Sequence, residues 1–93
     1  MDKITDSKLD KYTIITQKAL DQIVIAHKNK PLSKEAKLIL DMATRYFEDS
    51  KHFRKKGDYI NAFACLNYAH GWLDAGASLK LFDVHDSKLF TVD

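Results

Sequence analysis

The run Lys55-Lys56-Gly57-Asp58-Tyr59 decides the fold. Two lysines suit the negative end of a helix dipole, Gly57 supplies the left-handed residue that stops a helix, and Asp58 caps the next one. A link of about two residues leaves room only for a reversal, so the helices on either side form an antiparallel hairpin.

Upstream, Ser33 is a good N-cap for a helix over 34–56. Its inner face is Ala36, Ile39, Leu40, Ala43, Tyr46, Phe47, Ser50 and Phe53, recurring at three- and four-residue steps. Its outer face gathers Lys34, Lys37, Asp41, Arg45, Glu48, Lys51, His52 and Lys55, with Asp41 and Arg45 spaced for an i,i+4 pair. Further back, Leu9, Tyr12, Ala19, Ile23 and Ala26 mark an amphipathic helix over 6–27, with Leu20 and Val24 broadening its stripe and Ile14 and Ile25 pointing outward. Thr5 or Asp6 caps it, and the segment Lys28 to Leu32, with Pro31, ends it.

Downstream, a third helix is expected over 59–80. Helices of about 22 residues span about 33 Å at 1.5 Å per residue, so the three match in length and can share a core. The reading is all-α: a three-helix antiparallel up-and-down bundle over residues 1–82, then a short C-terminal tail over 83–93 that loses helical periodicity and is partly docked.

Composition agrees. The chain has 93 residues, 45% hydrophobic and 30% charged, with three Gly and one Pro, as expected of one globular domain with few turns. Its formal charge of +2 is too small to imply nucleic acid or membrane. The first 57 residues hold 13 basic and 8 acidic side chains, but acids are interspersed and no aromatic residue interleaves on the charged face, which argues against a nucleic-acid partner. Cys65 is the only cysteine, so no intramolecular disulfide forms and no thiol metal pattern exists; a reducing cytoplasm fits best. No signal peptide or membrane span is evident, and nothing requires a cofactor or metal.

The third helix carries most of the remaining information. Between Tyr59 and Leu79 its one charged side chain is Asp74. Tyr59, Ala62, Phe63, Leu66, Ala69, Leu73 and Ala77 form the core arc, and behind it lie Ala64, Tyr68, Trp72, Ala75 and Leu79. Two partner helices would leave that second group open, so either the tail folds over Tyr68 and Trp72, or another chain does, or the aromatics lie at the groove edges and count as core. Gly71 and Gly76 cost about 1 kcal/mol each relative to Ala inside a helix, which close packing explains.

Polar candidates are few. His70 and Asp74 are i,i+4 neighbours with Asn67 one turn before, the start of an acid/base or metal site, but no nucleophile or second ligand pair accompanies them. A structural pair is the simpler reading. Arg45 and His52, with six residues between them, resemble the motif of helical ribonucleases of toxin and CRISPR systems; on a charged helix face they are also ordinary solvated surface. His27 and His85 fall outside any cluster.

The stretch from Tyr46 to Phe82, above all Tyr68-Ala69-His70-Gly71-Trp72-Leu73-Asp74-Ala75-Gly76 preceded by Gly57-Asp58-Tyr59 and Ala62, resembles the small archaeal family known as domain of unknown function 357. The resemblance implies a three-helix bundle of archaeal origin and no assigned activity, and it transfers no catalytic residue. Lys80 stands where a small residue, often Gly, is expected. The functional expectation is a non-enzymatic module that binds a protein partner or forms a homo-oligomer through Tyr68, Trp72 and Leu79. The alternative is a small hydrolase or RNA-cleaving enzyme using His70 with Asp74, or Arg45 with His52.

Overall fold

A computed structural model describes residues 3–90. Three helices follow in order: α1 (Asp6–Ala26), α2 (Lys34–Lys55) and α3 (Tyr59–Ser78). Each begins on a side-chain cap. The Thr5 hydroxyl accepts from the Lys8 amide, the Ser33 hydroxyl from Ala36, and the Asp58 carboxylate from Asn61. α2 ends as its sequence requires: Gly57 has φ +79°, the Asp58 amide reaches Phe53 O at 2.9 Å, and the Gly57 amide reaches Arg54 O at 2.9 Å.

α3 ends in the same way two residues before the expected limit. The Leu81 amide bonds Gly76 O, the Lys80 amide bonds Ala77 O, and Lys80 takes φ +60°. The position that favours glycine is filled by a lysine, which accounts in backbone terms for the small residue expected there.

α2 and α3 make the closest pair, antiparallel, while α1 leans mainly on α3 and touches α2 little. Alanines explain the closeness: Ala36 and Ala43 of α2 and Ala62, Ala69 and Ala77 of α3 are buried. Larger side chains, Leu9, Ile23, Phe47 and Leu73, fill the centre. Among the described residues the two buried polar ones satisfy themselves locally, Thr16 donating to Tyr12 O and Ser50 to Phe47 O. Val24 corrects one expectation. It is 64% exposed rather than part of the buried stripe, because α1 diverges from α2 and leaves an open groove between them.

The tail is docked more fully than its sequence suggested. Phe82, Val84 and Phe90 are buried, and Asp86 accepts from the Gln22 amide at 3.3 Å. The Phe82 ring sits on Gly76, where an added Cβ would overlap three ring carbons. The tail therefore runs along α1 and away from Tyr68. Residues 91–93, the last of the expected tail, lie outside the described residues, as do 1 and 2.

Candidate functional site

With the tail on the far side, the outer face of α3 stays open. Ile60 is 74% exposed, Tyr68 60% and Leu79 67%. Trp72 is half-buried and packs against the core, so it forms the floor of this face rather than its crest. Tyr68 is held by its neighbour in α2: its ring stacks on Tyr46 at 5.2 Å between centroids, tilted 26°. Leu38 and Met42 lie two turns and one turn before Tyr46 on the same side of α2, and Leu38 is exposed. Asn67, Tyr68, Gly71, Trp72 and Ala75 line a shallow hollow. Close packing accounts for Gly76 but not for Gly71, since a Cβ added at Gly71 meets nothing within 4 Å.

His70 Nε2 and Asp74 Oδ2 stand 3.8 Å apart, both half-buried, a separation beyond hydrogen-bond length. Asn67 is exposed on the apolar hollow instead. Arg45 is engaged by Asp41 at 3.0 Å, and His52 lies about two helical turns further on, roughly 10 Å along the axis. Among the described residues no group of three or more His, Cys, Asp or Glu side chains could hold a metal ion. Burial raises the pKa of Cys65, which keeps the thiol protonated and unreactive.

One polar cluster was not legible in the sequence. His27, read as isolated, closes the C-terminal end of the bundle: its Nδ1 donates to Lys30 O at 2.8 Å and its Nε2 accepts from the Asp83 amide at 2.9 Å. The carbonyl can only accept and the amide only donate, so the ring is the neutral Nδ1–H tautomer. The Asp83 carboxylate in turn binds Lys30 and His85, each at 2.9 Å, and those contacts lower its pKa below the usual carboxylate range. A cleft of about 770 Å³ opens beside this latch, between the α1–α2 loop and the end of α3. Its His27 and Asp83 are committed to holding the tail. At the opposite end, Tyr59 and Arg54 bind Asp6 and lower its pKa, with Arg54 also 2.7 Å from Asp10.

No helix among the described residues is long and apolar enough to cross a membrane. Neither a curated protein nor a solved structure matches the chain. The family model described as protein of unknown function, DUF357, matches residues 11–82, which span α1 from Lys11 onward, the whole hairpin and the chain up to Phe82. By that match the chain belongs to the DUF357 family.

Proposed function

We propose that this is a non-enzymatic interaction module whose working surface is the outer face of α3, with Tyr68 and Leu79 as its exposed apolar contacts and Trp72 beneath them. The observation that supports the reading is the fate of the tail. It covers α1 and leaves a 20-residue helix that is apolar around most of its circumference with one side uncovered. Contiguous apolar surface of this kind marks association sites. Stacking on Tyr46 pre-orders the Tyr68 ring, which lowers the entropy lost when a partner arrives. Archaeal origin and a cytoplasmic setting belong to the same proposal. A catalytic role for His70 with Asp74, or Arg45 with His52, draws no comparable support from the distances above.

The test is the native size of the chain in fresh extract, compared with Gly71→Glu. The substituted side chain enters open space, so the fold should survive while a charge sits in the centre of the face. The native chain should run in a complex larger than 10.7 kDa and the variant should run smaller. Equal sizes for the two, with unchanged helical circular dichroism, would overturn the reading.

A further inference from the structure

The outer side of α3 carries a second helical pattern. Asn61, Ala64, Tyr68, Gly71, Ala75 and Ser78 follow at steps of three, four, three, four and three, the spacing of a coiled-coil seam, and all are exposed except the half-buried Ala64. None of them belongs to the buried core. The seam is also its own complement when reversed. About a point midway between Tyr68 and Gly71, reversal sets Tyr68 against Gly71, Ala64 against Ala75 and Asn61 against Ser78. The one bulky residue thus meets the one position without a side chain, where 4 Å of space is free.

We propose that the occupant of this face is a second copy of this chain, with the two α3 helices antiparallel about a two-fold axis at that point. The proposal rests on the interaction reading above and names its partner. Charge on the α1 flank agrees with it. A two-fold across the seam keeps each flank on its own side. On the α1 flank, Lys8 lies 4.8 Å from the centroid of Phe63, at nearly the level that reversal gives Asp74 of the second copy. Each copy's base therefore meets the other's acid. On the other flank, α2 brings Tyr46, stacked on Tyr68, and the exposed Leu38. The face formed by α2 and α3 measures about 30 Å by 20 Å, so about 1,200 Å² is buried in total, the lower end of specific interfaces. An interface of that size suits a reversible dimer rather than an obligate one.

Paired cysteines test the register on the purified full chain. In a Cys65→Ala background, Ala64→Cys and Ala75→Cys are prepared separately, oxidised mildly alone, then mixed before oxidation. The antiparallel seam requires disulfide dimer in the mixture at least about tenfold above either variant alone, since equivalent positions are about 16 Å apart along the axis. If Cys65→Ala reduces helical circular dichroism, the native background is used with Cys65 alone as control. Equal cross-linking of single variants and mixture would overturn the antiparallel register. A strict monomer by sedimentation at about 100 µM would overturn the second copy altogether. The interaction reading would survive either result if the chain still ran in a Gly71-dependent complex in extract.

Discussion

Replacing Gly76 with Ala should destabilise the protein, although the same change in an open helix would stabilise it by about 1 kcal/mol. The reason is Phe82, whose buried ring occupies the space a Cβ would need. Forcing a methyl into a packed site typically costs about 1–3 kcal/mol, so the net loss should be about 0–2 kcal/mol after the helix gain is subtracted. Removing the ring should cost about 3–5 kcal/mol on its own. In the Phe82→Ala background the obstacle is gone, and Gly76→Ala should become stabilising by about 0.5–1 kcal/mol. The two sites are therefore coupled by roughly 2 kcal/mol, readable as a double-mutant cycle from urea unfolding followed by circular dichroism. If Gly76→Ala stabilised both backgrounds equally, the docked tail described above would be wrong.

Other consequences follow from the caps and charges. Lys80→Gly should stabilise by about 1 kcal/mol in the same assay, because glycine adopts φ +60° without steric cost. Asp58→Ala should cost about 1 kcal/mol by removing the cap at the hairpin turn, and Asp58→Asn much less. His27→Ala should speed hydrogen exchange at the Asp83 amide, with little change at amides in the middle of the α2–α3 pair. Asp6 and Asp83 have depressed pKa values in the folded chain, so the unfolded state binds protons first on acidification. Their contribution is full above the usual carboxylate pKa near 3.8 and is lost as pH falls through the depressed values, which acid titration of Asp6→Asn and Asp83→Asn should blunt.

The hairpin was legible because its signals are local: Ser33, Gly57 and Asp58 each act through a backbone group within a few residues. The exposure of Tyr68 and Leu79 on α3 was legible too, since its apolar circumference exceeds what two helices cover, whereas Trp72, grouped with them, is half-buried against the core. What pattern could not supply was the path of the tail. Phe82, Val84 and Phe90 lack helical spacing, and the tail is held partly by α1 residues far away in the chain, Gln22 and His27 among them. The His27–Asp83 latch was missed for the same reason, being a pairing across 56 residues with one backbone partner that no side-chain motif records. Val24 was misplaced because periodicity gives a helix its apolar side but not the angle at which a neighbour diverges.

The most direct measurement places a photoreactive phenylalanine at Tyr68 in the native cell, with Lys37 on the charged, exposed face of α2 as the control. Adducts with a second polypeptide should form from position 68 and not from position 37, and Gly71→Glu should abolish them. Absence of adducts at 68, or equal yields at 68 and 37, would contradict a working interface on the outer face of α3.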